Sequence, residues 1–298
     1  QHLGNSDKTI LVGRNRAYHG VGFGGISVGG LAYNKIHFSL LNNVDHICDT
    51  HNLEKNAFSK GQPDWGKELA DDLLRVIEKH GVDQIAAFIT EPVAGSTGVL
   101  VPPKGYLERI REICTEHNIL LIFDEVITGF GRLGDPFSAQ RFNVEPDLIT
   151  CAKGLTSGTV PMGAVMVKKE IYDAFQQGDP KVIDLFHGYT YSAHPLASAA
   201  MIASLDVYLS DGLFKHASSL SSYWEEACHS LKGTDHIIDI RNLGLVAGIE
   251  MEPRNEKPGA RGYDIFTDAF HNHDLLIRIT GDTIALSPPL IVEKEHID

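Results

Sequence analysis

The sequence predicts an α/β fold: a mostly parallel sheet covered by helices on both faces, followed by a smaller α+β unit. Three observations carry this expectation. Amphipathic helical stretches alternate with uninterrupted apolar runs along the first part of the chain, and such runs are what strands buried on both faces require. The 298 residues are 43% hydrophobic and 22% charged, enough to fill a large core and still solvate a surface. Past residue 208 the pattern changes to long helices and weaker strands, so the expected division is residues 1–208 and 209–298.

Taken in order, "TILV" (9–12) reads as a short strand. The stretch "WGKELADDLLRVIEKHG" (65–81) has helical spacing and a closing glycine, and it feeds the strand-like "VDQIAAFITEP" (82–92). The pattern repeats in the amphipathic "YLERIREICTEHN" (106–118) and the apolar "ILLIFDE" (119–125), then in the strand-like "DLITCAK" (147–153) and "MGAVMV" (162–167). After His194 and Pro195, "LASAAMIASLDVYL" and "FKHASSLSSYWEEACHSLK" read as long helices. Weaker strands are expected near 245–251 and 275–287, with a helix between them. The glycine-dense stretch from Tyr18 to Asn34 predicts turns and close backbone approach rather than a regular element.

A formal charge of −13 disfavours a broad nucleic-acid or anionic-lipid footprint and points toward small-molecule chemistry. The cysteines Cys48, Cys114, Cys151 and Cys228 are widely spaced with no CxxC pair, which fits a reducing, cytoplasmic compartment. No apolar run approaches the roughly 20 residues that span a bilayer, so no membrane association is expected. The chain starts at Gln1 rather than methionine, and "LIVEKEHID" reads as a helix just starting, so both ends are expected to be cut.

Three short motifs mislead. "GVGFGG" (20–25) satisfies G-x-G-x-x-G, but more glycines follow where a dinucleotide fingerprint needs a helix. "GISVG" (25–29) satisfies G-x-S-x-G without the strand-to-helix elbow that would make Ser27 a nucleophile. "LLIFDE" resembles a magnesium-holding strand end, yet no G-x-x-x-x-G-K-[ST] loop accompanies it. The fifteen histidines are scattered without HExxH, and no metal is expected.

What remains is an acid and an amine. Asp124 and Glu125 end one strand and Lys153 ends another, and open parallel sheets bind ligands at the carboxyl edge of their strands. The plain alternative is a structural salt bridge between Asp124 and Lys153.

Longer motifs decide between the two. "FDEVITGFGR", "CAKGLTSGTVPMGAV", "EPVAGSTG", "AYHG" and "HGYTYSAHPLA" together resemble the class III aminotransferases of the fold-type I, pyridoxal-phosphate-dependent enzymes, with agreement over essentially the whole chain and in the right order. "YHGVGFGGISVGG", "THNLEKNAF" and "IRITGDTIALSPPL" are similar to the branch that passes amino groups from β-alanine and other ω-amino acids to pyruvate.

The resemblance implies that Lys153 condenses with the aldehyde of pyridoxal phosphate and then moves protons. It implies that Asp124 faces the pyridine nitrogen and that Tyr18, with His19 beside it, and Val126 sandwich the ring. Thr190 would reach the cofactor phosphate from a neighbouring subunit, making a homodimer or higher homo-oligomer necessary. Arg278 would grip a substrate carboxylate, and Glu91 would either touch ligand or brace the site. Ile127 departs from the glutamine of γ-aminobutyrate enzymes, which favours the pyruvate branch. The family's upstream phosphate-binding loop is expected to precede Gln1. The rivals are another class III aminotransferase or an aminomutase with a different donor and acceptor, and a dimerising fragment that does not turn over.

Overall fold

The computed structural model describes residues 3–179, 181 and 185–298. Among the described residues, ten strands form two sheets: β1 Ile10–Arg14, β2 Val44–Ile47, β3 Ile85–Thr90, β4 Leu120–Asp124, β5 Leu148–Cys151 and β6 Ala164–Val167 in the first, and β7 Ile237–Leu243, β8 Val246–Met251, β9 Arg278–Thr280 and β10 Thr283–Leu286 in the second.

The first sheet runs in the order β2-β1-β3-β4-β5-β6, parallel throughout except that β6 pairs antiparallel with β5. Parallel strands are linked by helices, and the helix Tyr106–Glu116 shows the cause: Tyr106, Leu107, Ile110, Ile113 and Cys114 fall on one side at helical spacing and are buried. They pack with Phe88, Leu121 and Phe123 of the sheet and with Leu73 and Val76 of the helix Asp72–His80. That helix is shorter than the sequence predicts, because Lys67–Asp71 winds as a 3-10 turn; it ends at Gly81, whose φ of 84° suits glycine.

The second sheet is antiparallel, in the order β7-β8-β10-β9. Its face receives the helix Leu213–Ser230 through Ala217, Leu220, Trp224 and Cys228, which meet Ile240, Leu245, Ala247 and Ile249. The expected helix between the strands is Ala260–His273.

Two differences from the sequence reading have a clear physical cause. The glycine-dense stretch holds a short helix, Phe23–Val28, where none was expected; burial of Ile26 and Val28 outweighs the poor helix propensity of glycine. The close approach expected there is also present, since a Cβ on Gly13 would strike the Val28 carbonyl and one on Gly30 would strike the Arg14 carbonyl. Strands β2 and β7 went unread, and in β7 the reason is its polar residues: Asp239, Arg241 and Asn242 interrupt the apolar pattern yet are buried.

The Arg241 guanidinium explains their burial. It bridges Asp239 and Glu250 at 2.5 and 2.6 Å and donates to the carbonyls of Gly98 and Val99, tying the second sheet to a loop of the first. His51, Asp239 and Glu250 come close enough to suggest a cation site, but Arg241 already supplies the positive charge between the two carboxylates. Among the described residues, no single helix is long and apolar enough to cross a membrane, and all four cysteines are unpaired.

Candidate active site

Because β1, β3, β4 and β5 run in one direction, the residues that follow them meet along one edge. Tyr18 and His19 follow β1, Glu91 follows β3, Asp124 ends β4 just ahead of Val126, and Lys153 follows β5. All six line one cavity of about 430 Å³, together with Gly20, Ile89, Ser96, Ile127, Thr150 and Ala152. That volume lies within the range of small-molecule sites. A larger cleft of about 680 Å³ opens at the amino edge of the sheet, where Arg111 and Lys168 are already paired with Asp147.

At the cavity wall Asp124 is held on both carboxylate oxygens. Its Oδ1 accepts from the Val126 backbone N–H at 3.1 Å, and its Oδ2 pairs with His19 Nδ1 at 2.8 Å. The His19 side chain is buried and its other ring nitrogen, Nε2, has no protein partner. Glu91 is buried and accepts from the Tyr18 backbone N–H at 3.2 Å. Burial pushes its carboxyl up to about 7; His19 and the wholly buried Arg14 pull the other way, and Asp124 adds to the rise.

Lys153 stands at the cavity mouth, exposed as a residue, yet crowded enough that desolvation lowers its amine below the usual lysine range. The charge of Arg278 lowers it further, while Asp124 and Glu91 oppose the shift. Its backbone is left-handed, with φ of 44°, a conformation that costs a non-glycine residue about 1–2 kcal/mol. Gly154, next in the chain, lies against Phe130: a Cβ there would come within 2.8 Å of the Phe130 Cβ.

Two expected residues lie off the cavity wall. Arg278 opens β9, exposed, near enough for its charge to reach Lys153. Thr190 is exposed in a segment whose neighbours Tyr189 and Tyr191 are also exposed. Glu125, expected beside Asp124 at the site, turns the other way: it accepts from the backbone N–H groups of Ser138 and Ala139 and from the Thr128 hydroxyl, serving the start of the helix Ser138–Phe142. Alternation along a strand explains the split, since adjacent side chains point to opposite faces. The same alternation could have indicated Ile89 and Thr150, which went unnamed; Ser96 lay within a quoted motif but has no sequence feature that marks it. Ser27, the serine of G-x-S-x-G, is buried and occupied, donating to the Phe23 carbonyl at 2.6 Å and accepting from the Leu41 N–H.

A parallel sheet that gathers a lysine with a depressed pKa, an Asp–His pair and a buried glutamate at its carboxyl edge is the setting of lysine-based chemistry on a bound cofactor. The chain belongs to the aminotransferase class-III family, which matches it over residues 1–298. It is 61% identical over 296 residues to an omega-aminotransferase of Caulobacter vibrioides, covering 99% of this chain and 67% of that protein. It is 46% identical over 303 residues to a beta-alanine–pyruvate aminotransferase of Pseudomonas aeruginosa, covering 99% of this chain and 66% of the relative. Among solved structures, an omega transaminase from Pseudomonas jessenii in complex with PMP matches with a TM-score of 0.91 at 30% identity, over 99% of this chain and 67% of that one. The chain thus spans about two thirds of the length of the curated relatives it matches. Class-III aminotransferases use pyridoxal phosphate.

Proposed function

We propose that this chain is the greater part of a pyridoxal-phosphate-dependent aminotransferase that moves the amino group of β-alanine or related ω-amino acids to pyruvate, giving alanine. The observation that carries the reading is the convergence of Lys153, Asp124 and His19 on one cavity from three strand ends. The names of the similar proteins support the donor and acceptor.

The cavity residues fit the cofactor. A buried His19 nitrogen lacks a partner, Asp124 presents a fixed carboxylate, and the small side chain of Ala152 leaves room beside Lys153. Asp124 would hold a proton on the ring nitrogen, because a carboxylate stabilises a neighbouring pyridinium. Tyr18 and Val126 would pack against the ring, and Glu91 would keep the Tyr18 backbone in place. When bound, pyridoxal phosphate supplies an aldehyde for the donor's amino group and a ring that delocalises the electron pair left by a departing proton. The Lys153 Nζ, its pKa lowered by desolvation and by Arg278, would hold that aldehyde at rest and carry the proton during turnover. Arg278 would bind the carboxylate shared by β-alanine and pyruvate.

We also propose a homodimer in which Thr190 of a second copy reaches the cofactor phosphate. Exposed Phe186, Tyr189, Tyr191 and Leu196 form an apolar stretch suited to such a contact. The two sheets support a division near residue 208 into a large cofactor-binding unit and a smaller one, and the unpaired cysteines suit a cytoplasmic location.

The test is borohydride reduction of the cofactor-loaded full polypeptide, followed by peptide mass spectrometry, with alanine formation assayed from pyruvate and β-alanine, γ-aminobutyrate or an aromatic amine. The label is expected on Lys153 and lost in Lys153→Ala. A label on another lysine would refute the assignment, and 2-oxoglutarate replacing pyruvate as acceptor would move the enzyme to another branch.

A further inference from the structure

Lys153 holds a left-handed backbone, and most of what fixes its turn is local. Leu155 N–H donates to the Ala152 carbonyl, Gly158 N–H to that of Lys153 and Ser157 N–H to that of Gly154, while the Thr156 hydroxyl donates to the Val160 carbonyl. One restraint comes from far along the chain. The Tyr208 hydroxyl, on the helix Pro195–Ser210, donates to the Gly154 carbonyl at 2.7 Å and lies 3.0 Å from the Ser157 hydroxyl.

Tyr208 is itself tightly placed. It is buried, and its ring is stacked between Phe130, at 6.0 Å and 22°, and Phe214, at 5.5 Å and 24°. Phe130 also covers the α-carbon of Gly154, so one aromatic column presses on the residue after Lys153 while the hydroxyl at its centre grips that residue's carbonyl. Phe130 closes the segment that carries cavity-lining Val126 and Ile127, and Phe214 belongs to the helix packed on the second sheet. The column therefore joins both sheets to the lysine's turn. Tyr208 does not line the cavity.

We propose that Tyr208 is a positioning residue for Lys153: its hydroxyl, by fixing the Gly154 carbonyl, holds the left-handed turn that presents the lysine amine to the cavity. Proton transfer depends on placement within a fraction of an ångström, so a turn free to relax would misplace the amine without touching the substrate pocket. The proposal rests on Lys153 being the residue that bonds the cofactor.

Tyr208→Phe keeps the aromatic column and removes only the hydroxyl. In the cofactor-loaded full polypeptide, the expected result is a shift of about half a unit in the pH midpoint of the cofactor's absorption. A fall in kcat of about tenfold or more should accompany it, with KM for the donor nearly unchanged. A lowered melting temperature with unaltered absorption midpoint and kcat would overturn the proposal and leave Tyr208 a packing residue. Should Tyr208→Phe fail to fold, Ser157→Ala removes the second hydroxyl of the pair; a shift of the absorption midpoint together with a fall in kcat supports the proposal, and no shift overturns it. Lys153→Ala run in parallel separates the two readings, since a cofactor still covalently trapped there defeats the lysine assignment, whereas an inert Tyr208→Phe defeats only the positioning role.

Discussion

Asp124 is the residue where position and charge are most tightly fixed, by a backbone N–H on one oxygen and a histidine on the other. Asp124→Asn keeps the shape and removes the charge that would stabilise a protonated ring. The expected outcome is a loss in kcat of about 100- to 1,000-fold, with cofactor affinity, measured by equilibrium dialysis, weakened far less. Glu91 makes a different prediction. Its carboxyl titrates near 7 when folded instead of 4.5, so between those values the folded protein holds a proton that the unfolded chain releases. Stability should therefore fall as pH rises from about 4.5 to about 7 and level off above, by an amount on the order of 3 kcal/mol. Glu91→Gln should flatten that part of the profile in chemical denaturation of the cofactor-free protein, and an unchanged slope would show that Glu91 ionises normally.

At the scale of elements, one strand end serves two purposes. Asp124 faces the cavity, and its neighbour Glu125 receives the first N–H groups of the helix Ser138–Phe142. Glu125→Ala would strand those donors in the interior, for a cost of about 3 kcal/mol in urea denaturation, while the cofactor's absorption band stays in place. Sequence patterning reached such elements unevenly. Helices with a clear apolar face, such as Tyr106–Glu116, and buried parallel strands, such as β4, were legible because burial writes a periodic signal. Strand β7 was not, because its buried Asp239 and Arg241 are tolerated only through partners far away in the chain. The helix Phe23–Val28 was hidden for the opposite reason: its glycines allow backbones to approach, and packing rather than propensity makes it helical.

At the scale of the molecule, the site depends on contacts that cross from one sheet to the other. Arg241 holds the loop at Gly98 and Val99, and Arg132 donates to the carbonyls of Leu245 and Pro288. Thr280 reaches the Ser96 carbonyl at 2.9 Å, just behind the cavity wall. The proposed dimer extends this dependence between copies and can be tested by complementation. Lys153→Ala and Thr190→Ala chains, each impaired alone, should regain activity when co-expressed, because a mixed dimer contains one site with both residues intact. Purified mixed dimers without recovered activity would place Thr190 outside the partner's site.

By itself the sequence indicated that an aspartate and a lysine close two strands whose ends can converge at one sheet edge, since uninterrupted apolar runs followed by a charge can fold in few other ways. Its long motifs also determined the family. Only the tertiary structure decided which of Asp124 and Glu125 faces the cavity, that His19 pairs with Asp124, and that Glu91 is buried enough to hold a proton near neutrality. Side-chain direction and desolvation are set by atoms distant in the chain, and a linear pattern carries no record of them.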